Sequence, residues 1–255
     1  MKPSDDSAGI RKLVEQSTST TDLLERLAAS GEPAVQRELD AFTKYVRRQP
    51  LTRFIARYEL FKQALEVPGS IVEAGVFAGG GLFTCAHVSA ILEPVHYARR
   101  IIGFDTFEGF PAFTPGKDAH DASGVRSVGG FAYADLGALQ QAAQRLDANR
   151  FLGEIPKIEF VAGDATVTMP RYVEEHPHLV VALLYLDFDL YQPTRAAIEA
   201  FLPRMPKGAV LAFDELNKDK WPGETLAALE TVGLHSLRLR RFAFDPLMSY
   251  AVIGD

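Results

Sequence analysis

Two apolar runs in the sequence each lead into a pair of acidic residues. The first run, residues 179–186, precedes Asp187 and Asp189, and the second precedes Asp214 and Glu215. Apolar runs of this kind predict strands that are buried on both faces of a parallel sheet. The carboxyl ends of such strands border a ligand crevice, where four carboxylates would repel one another. A divalent cation would relieve that repulsion, so the pattern predicts metal chemistry.

A glycine turn at residues 70–81 indicates a second ligand site. Three residues separate Gly75 from Gly79, which differs from the dinucleotide fingerprint. Gly75 would let the backbone approach a ligand closely, and the helix beginning after Gly79 would offer unpaired N–H groups to a carboxylate. Glu73 would lie beneath the ligand and counter its ammonium or sulfonium charge. The alternative is a turn that serves only the geometry of the chain.

Two further aspartates stand at the predicted ends of the next strands. Asp105 closes the second strand, where an acid commonly accepts hydrogen bonds from the hydroxyls of a ribose. Asp164 follows the third strand and is a candidate acceptor for an adenine amino group. A helix cap or a turn is the alternative for each. Together with the glycine turn, these positions follow the order that a nucleoside ligand requires.

The elements that would position these residues alternate between strands and helices. This alternation predicts an α/β fold with a parallel sheet and helices on both faces. The predicted parallel strands are 70–76, 101–105, 157–162, 181–187 and 208–214, and the predicted helices between them are 81–92, 136–149, 194–202 and 225–232. Residues 235–241 and 248–253 are joined by a loop too short for a crossover helix, so they predict an antiparallel hairpin.

The chain before this region has a helical pattern from Thr21 to Glu66, in which Phe54 and Phe61 belong to one predicted apolar face with Tyr58 and Leu65. We therefore expect an N-terminal helical extension, residues 1–66, followed by one α/β domain, residues 67–255. The apolar surface of the predicted N-terminal helices indicates a homo-oligomer.

Composition restricts the class of protein. The chain has 255 residues and a formal net charge of −6, which argues against a nucleic-acid-binding protein. No apolar signal segment follows Met1, the longest apolar run is too short to span a bilayer, and the single cysteine, Cys85, has no disulfide partner. These features predict a cytosolic protein without membrane partners. Residues 113–134 show neither the apolar periodicity of a helix nor that of a strand. We expect this long loop, which includes His120, to form a lid.

Several motifs resemble those of the macrocin and mycinamicin sugar O-methyltransferases. The resemblance covers about residues 54–225 and depends most on the runs Asp-Thr-Phe-Glu-Gly-Phe-Pro, residues 105–111, and Asp-Phe-Asp-Leu-Tyr, residues 187–191. It implies the seven-stranded, Rossmann-like sheet of class I S-adenosylmethionine-dependent methyltransferases, mostly parallel with a C-terminal antiparallel hairpin. It also implies S-adenosyl-L-methionine, Mg²⁺ and a deoxysugar acceptor that is either nucleotide-linked, as in dTDP-rhamnose, or attached to a natural product. Within this family, the chain most resembles the rhamnose O-methyltransferases of enediyne antibiotic pathways.

The same resemblance implies a division of labour among the acids. Asp187, Asp214 and Glu215 match metal ligands, and Asp189 matches the general base. Carboxylate oxygens favour a hard cation such as Mg²⁺. Residues two apart in extended chain face the same side, so Asp187 could bind metal while Asp189 takes a proton. The chain departs from the family pattern at Phe188, where glycine is usual, and at Glu215, where aspartate is usual.

The candidates for contact with the acceptor are Tyr58, His120, Phe188, Tyr191 and Trp221. Three alternative functions stay open from the sequence. The first is an O-methyltransferase of catechols or other phenols, which also present two adjacent oxygens to a metal. The second is an NAD-dependent oxidoreductase, which the glycine spacing disfavours. The third is a non-catalytic, nucleotide-binding Rossmann-like protein.

Overall fold

A computed structural model describes residues 32–133 and 135–255. The chain divides into two compact units between Leu51 and Thr52. The described part of the first unit contains helix α1, Glu32–Asp40, and a 3₁₀ turn, Phe42–Lys44. The predicted helical residues 21–31 lie outside the described residues, and the predicted domain boundary after residue 66 stays a prediction.

The second unit is built on a seven-stranded sheet. Its strands are β1 Ser70–Ala74, β2 Ile101–Asp105, β3 Ile158–Ala162, β4 Val181–Leu186, β5 Val210–Phe213, β6 Arg240–Arg241 and β7 Ser249–Val252. The helices are α2 Arg48–Ala64, which begins before the division between the units, α3 Gly80–Leu92, α4 Leu136–Ala148, α5 Ala165–Glu175, α6 Tyr191–Phe201 and α7 Pro222–Thr231. No helix among the described residues has the length and apolar composition needed to cross a membrane.

The strand order is β3-β2-β1-β4-β5-β7-β6. Strands β1 to β5 are parallel, and β7 is antiparallel to both β5 and β6. The predicted α/β fold with a C-terminal antiparallel pair is therefore confirmed. Strand β6 is much shorter than predicted because a 3₁₀ turn, Leu234–Ser236, takes up the first part of that segment.

Two local features differ from the sequence-based expectations. The pattern does not reveal helix α5, because Pro170 inside it disfavours a helix interior. The predicted apolar face of α2 is correct at Phe61, which is buried, but Phe54 is 39% exposed, and the buried face also includes Arg57. The buried face includes a charged side chain, and apolar periodicity does not reveal such a face.

The carboxyl ends of the central strands lie level with one another. Ala74 of β1 pairs with Leu186 of β4, and Leu186 pairs with Phe213 of β5. Backbone hydrogen bonds continue one residue further, from Asp187 N to Ala74 O at 2.8 Å and from Asp214 N to Leu186 O at 3.1 Å. This register brings the residues that follow three strands to one edge of the sheet.

Candidate active site

A cavity of about 690 Å³ lies at the carboxyl edge of the sheet. Its lining includes the glycine turn at Gly75, the strand-end acids Asp105 and Asp164, and the acids Asp187, Asp189 and Glu215. Six of the predicted cofactor, metal and base residues therefore border one space, as expected for a parallel α/β sheet, whereas Glu73, Gly79 and Asp214 are not part of its lining.

Gly75 is required by the packing at this edge. Its φ of +103° is unfavourable for other residues, and a Cβ here would lie 2.1 Å from the carbonyl oxygen of Asp187. Gly79 is also left-handed, with φ +83°, and directly precedes α3. The turn thus lets β1 approach β4 closely. Contact of Gly75 and of the N-terminus of α3 with a ligand stays a prediction.

Asp187, Asp214 and Glu215 each offer a carboxylate oxygen, and the three oxygens lie within 4.8 Å of one another. Each side chain uses one oxygen in a protein contact. Oδ2 of Asp187 lies 3.2 Å from Arg57, Oδ1 of Asp214 accepts hydrogen bonds from Arg53 and the Tyr185 hydroxyl, and Oε1 of Glu215 accepts one from Lys218.

The other oxygen of Glu215, Oε2, is buried and has no hydrogen-bond partner. A buried carboxylate oxygen without a partner is costly, and coordination to a cation would satisfy it. Glu224, which is fully buried, accepts a 2.7 Å hydrogen bond from the backbone N–H of Glu215 and so fixes that residue. The three carboxylates fit a divalent cation with a preference for oxygen ligands.

Burial and mutual repulsion perturb these acids. Burial raises the pKa of Asp187 well above its ordinary value, and repulsion from Asp214 raises it further. Burial alone would also raise the pKa of Asp214, but the adjacent Arg53 guanidinium and the Tyr185 hydroxyl lower it. Burial, followed by repulsion from Asp214, raises the pKa of Glu215 to about 10. Such a cluster binds either protons or a cation.

Asp189 lies two residues beyond Asp187, in a left-handed backbone conformation with φ +62°. This conformation is uncommon for a residue other than glycine, and strain of this kind clusters at functional sites. Burial, together with repulsion from Asp214, raises the pKa of Asp189 to about 7. A carboxylate with a pKa near neutrality, lining the cavity beside the metal candidates, has the properties of a general base.

Glu73 is buried in β1 and does not line the cavity. Its Oε1 lies 3.2 Å from Arg57, so its charge is already balanced within the protein. Gly81 of α3 leaves room for this pair, since a Cβ there would lie 1.8 Å from Glu73 Oε1. The structure gives Glu73 a charge partner in Arg57, and its position beneath a ligand stays a prediction.

Asp105 organises the loops around the cavity. Its Oδ2 accepts hydrogen bonds from the backbone N–H groups of Val76 and Phe77, at 2.7 and 2.9 Å, and its Oδ1 accepts one from Phe107 N at 2.9 Å. These bonds use most of the acceptor capacity of a carboxylate. Contact with a ribose stays a prediction for a residue that also has a clear structural role.

Asp164 caps helix α5. Its Oδ1 accepts hydrogen bonds from the backbone N–H and the hydroxyl of Thr166, at 2.9 and 2.7 Å. The alternative of a helix cap is thus present in the structure, and Asp164 also lines the cavity. A contact between its other oxygen and an adenine amino group stays a prediction.

Aromatic side chains also line the cavity. Phe131 belongs to the predicted lid, residues 113–134, whereas Phe110 precedes it, and their rings lie 5.4 Å apart. Trp221 packs on both, at 5.7 Å from Phe110 and in a stacked arrangement 6.0 Å from Phe131. Phe188 also lines the cavity. Two of the predicted acceptor contacts, Trp221 and Phe188, are therefore at the cavity.

The other predicted acceptor contacts lie elsewhere. Tyr191 is buried, and its hydroxyl donates to Glu230. Tyr58 packs against the core, with Lys62 over its ring. His120 packs on Phe113, which lines the cavity, but His120 itself does not. Tyr191 is the first residue of α6, and the packing of this helix orients its side chain away from the cavity.

Sequence reasoning missed Arg53 and Arg57. They are four residues apart in α2 and so lie on the same face of the helix. Both contact the strand-end carboxylates. The one signal in the sequence was their spacing of one helical turn. This spacing predicts ion pairs with the acids only if the helix is already known to lie against the carboxyl edge of the sheet.

The sequence profile of the macrocin-O-methyltransferase family (TylF) matches residues 45–227. Two solved structures of the calicheamicin methyltransferase CalS11, one described as a TDP-rhamnose 3'-O-methyltransferase of calicheamicin biosynthesis, are 35% identical to this chain. The first covers 94% of this chain and 93% of its own, with a TM-score of 0.86. The second covers 94% and 95%, with a TM-score of 0.77.

A curated relative from Streptomyces olivaceus is 29% identical over 157 residues, which is 58% of this chain. It is named 8-demethyl-8-(2,3-dimethoxy-alpha-L-rhamnosyl)-tetracenomycin-C 4'-O-methyltransferase, and the matched part of this chain spans about half, 53%, of its length. The family profile covers more than half of the chain, and the CalS11 structures match it over nearly its whole length. The chain therefore belongs to the macrocin-O-methyltransferase family.

Proposed function

We propose that this O-methyltransferase transfers the methyl group of S-adenosyl-L-methionine to a hydroxyl of a deoxysugar in antibiotic biosynthesis, with the help of Mg²⁺. The sugar is either nucleotide-linked, as in dTDP-rhamnose, or attached to a natural product. The observation that carries the proposal is the cluster of Asp187, Asp214 and Glu215 beside a cavity that also borders the glycine turn at Gly75.

The three carboxylates are the proposed metal ligands. They supply hard oxygen donors, which favour Mg²⁺ over Zn²⁺. A bound divalent cation acts as a Lewis acid that makes a sugar hydroxyl easier to deprotonate. Glu215 reaches the cluster despite its longer side chain, because Glu224 fixes its backbone and Lys218 holds its Oε1.

Asp189 is the proposed general base. Its carboxylate borders the cavity, where it can accept the proton of the acceptor hydroxyl. S-adenosyl-L-methionine supplies an electrophilic methyl group. The residues that would hold it are Gly75 and Gly79 by close backbone approach, Asp105 and Asp164 by their carboxylates, and Glu73 from beneath the turn. Their contribution to rate is orientation of the methyl group toward the hydroxyl.

The acceptor side supports a sugar. An aromatic wall of Phe110, Phe131 and Trp221 lines the same cavity as the acids, and this combination suits a sugar that offers both C–H faces and hydroxyls. The printed activities of the CalS11 structures and of the Streptomyces olivaceus relative, which concern rhamnose-type sugars, support the same class. No observation favours a phenolic acceptor or a non-catalytic role.

The cytosolic location and the homo-oligomeric state remain predictions. Light scattering of the purified full chain tests the second one, and a monomer at micromolar concentration would contradict it.

The proposal is tested by methyl transfer from labelled S-adenosylmethionine. We expect turnover with dTDP-rhamnose and Mg²⁺, no turnover with catechol, loss of turnover in excess EDTA and recovery when Mg²⁺ exceeds the chelator. Unchanged turnover in EDTA would remove the metal, and turnover with catechol alone would favour the phenolic alternative.

A further inference from the structure

The side chain of Arg53 lies between two of the proposed metal ligands. One guanidinium nitrogen, Nη2, is 2.6 Å from Oδ1 of Asp214 and 3.5 Å from Oδ2 of Asp187. These carboxylates follow two different strands, β5 and β4. A single positive group therefore bridges the ends of both strands, which is the role that the preceding proposal gives to a divalent cation.

Arg57, one helical turn further along α2, makes a different kind of contact. Its Nη2 lies 3.2 Å from both Asp187 Oδ2 and Glu73 Oε1, and its side chain is 8% exposed. Its guanidinium carbon is 4.4 Å from the centre of the Tyr185 ring, and Gly81 leaves room for it. Arg57 is enclosed on all these sides and is a fixed part of the sheet edge.

Arg53 is not enclosed in this way. Its side chain is 30% exposed, and it lines the cavity. Among the described residues that line the cavity, it is the single lysine or arginine side chain. A long, partly exposed side chain can move into the cavity, whereas Asp187 and Asp214 have short side chains that directly follow the strand ends.

We propose that Arg53 is a built-in counter-ion of the carboxylate cluster that competes with the divalent cation for Asp187 and Asp214. Arg53 stabilises the fold when the cluster holds no cation, and its positive charge weakens the binding of one. The competition follows from like charge at short distance within a partly buried site. This inference rests on the proposed metal site.

The competition predicts opposite effects on two measurements. The Arg53→Gln variant keeps a hydrogen-bond donor but loses the charge. We expect its Mn²⁺ dissociation constant, measured by calorimetry on the full chain, to be at least about tenfold lower than that of the unmodified protein. We expect its unfolding temperature in EDTA to fall, because Asp187 and Asp214 then repel each other with less compensation, and Mn²⁺ to raise that temperature by more than in the unmodified protein.

Two control variants separate the local charge from general effects. Arg53→Lys keeps the charge and should bind Mn²⁺ nearly as weakly as the unmodified protein. Arg171→Gln removes a charge from an exposed side chain on α5, 60% accessible, and should change neither measurement.

The outcomes distinguish this inference from the proposed function. If the unmodified protein and Arg53→Gln both fail to bind Mn²⁺, the proposed metal site is wrong. If the unmodified protein binds Mn²⁺ and Arg53→Gln binds it equally or more weakly, the metal site stands and the competition is overturned in favour of a role for Arg53 in orienting the ligands. If Arg53→Gln is unfolded both in EDTA and with Mn²⁺, Arg53 is a structural residue and the competition is likewise overturned.

Discussion

Two residues at this site have conformations or surroundings that are energetically unfavourable. Asp189 has a left-handed backbone, and Glu215 has a buried oxygen without a partner. Each has a cost of the kind that folded proteins retain mainly where function requires it. Both residues lie beside Asp187, and the coincidence of these features at the carboxylate cluster supports the chemistry proposed there.

The Asp189→Asn variant tests the general base. Asparagine tolerates the left-handed conformation and matches aspartate in shape, so the fold should be kept while the proton acceptor is lost. We expect kcat to fall by about 10²–10⁴-fold with little change in the affinity for S-adenosylhomocysteine, measured by calorimetry. Asp255→Asn, at an exposed carboxylate that does not line the cavity, is the control. A normal kcat in Asp189→Asn would exclude Asp189 as the base.

Lys157, just before β3, provides a pH-dependent test of burial. It is 3% exposed, its Nζ donates to the carbonyl of His96, and burial lowers the pKa of its ammonium to about 8. The folded state therefore binds this proton more weakly than the unfolded chain does. Burial of the charged ammonium therefore destabilises the folded state fully below pH 8. This destabilisation is relieved as the pH rises toward the pKa of the unfolded chain, about 10.4.

We therefore expect the stability of Lys157→Met, relative to the unmodified protein, to fall between pH 8 and pH 10.5. Urea unfolding of both proteins at several pH values measures the difference, and taking the difference cancels other titrating groups. A stability difference that does not change over this range would mean that Lys157 is not perturbed.

At the scale of elements, the level ends of β1, β4 and β5 bring the site together. The strand register sets Asp187 and Asp214 one residue beyond paired positions. Gly75 permits the close approach of β1 to β4, since any side chain there would overlap the backbone of Asp187. The position of Asp187, a proposed metal ligand, thus depends on a glycine that directly follows the neighbouring strand β1.

Gly75→Ala should therefore disturb both ligand sites at once. We expect a loss of at least about 2 kcal/mol in the free energy of unfolding, from a strained φ and the overlap with Asp187, together with weaker Mn²⁺ binding. The matched control is Gly80→Ala, where nothing lies within 4 Å of the added Cβ, and its stability should be equal or slightly higher. Equal stability of the two variants would contradict the role given to Gly75.

The loop between β2 and α4 contributes the aromatic wall and is held in a defined shape. Phe110 and the pair Gly129 and Gly130 are joined by two backbone hydrogen bonds, at 2.9 and 3.0 Å. Phe110 and Phe131 thereby pack on Trp221, and the role of residues 113–134 as a lid stays a prediction.

Trp221→Ala should affect the acceptor more than the cofactor. We expect the KM for the sugar acceptor to rise about tenfold through the loss of an aromatic face, with the affinity for S-adenosylhomocysteine nearly unchanged. Tyr97→Ala, at an exposed aromatic residue outside the cavity lining, serves as the control. A larger effect on the cofactor than on the acceptor would move Trp221 to the cofactor side.

The sequence predicts elements better than it predicts their contacts. Apolar runs identify β1, β2 and β4 because these strands are buried along their length, and the acids that follow them reach the predicted edge. Arg53 could not be predicted as a partner of Asp214 because the two residues are 161 positions apart. Apolar periodicity also does not show which charged side chains of α2 face the sheet. Tyr191 shows the same limit, since its orientation depends on the packing of α6.

At the scale of the whole molecule, one cavity brings together a cofactor edge, an acidic cluster and an aromatic wall. The acids lie at strand ends, and the aromatic side chains come from loops. A parallel sheet fixes the reacting groups, while the loops can vary to suit different acceptors. We expect cavity-lining residues outside the strands, such as Phe188, to set the choice of acceptor.

The most direct test of the account is a crystal structure of the full chain with S-adenosylhomocysteine and Mn²⁺, with anomalous diffraction used to locate the metal. We predict a single strong anomalous peak within coordination distance of Asp187, Asp214 and Glu215, with the cofactor on the glycine turn at Gly75 in the same cavity. A cofactor bound there with no anomalous peak at these carboxylates, or with the peak at other residues, would contradict metal-assisted methyl transfer at this site.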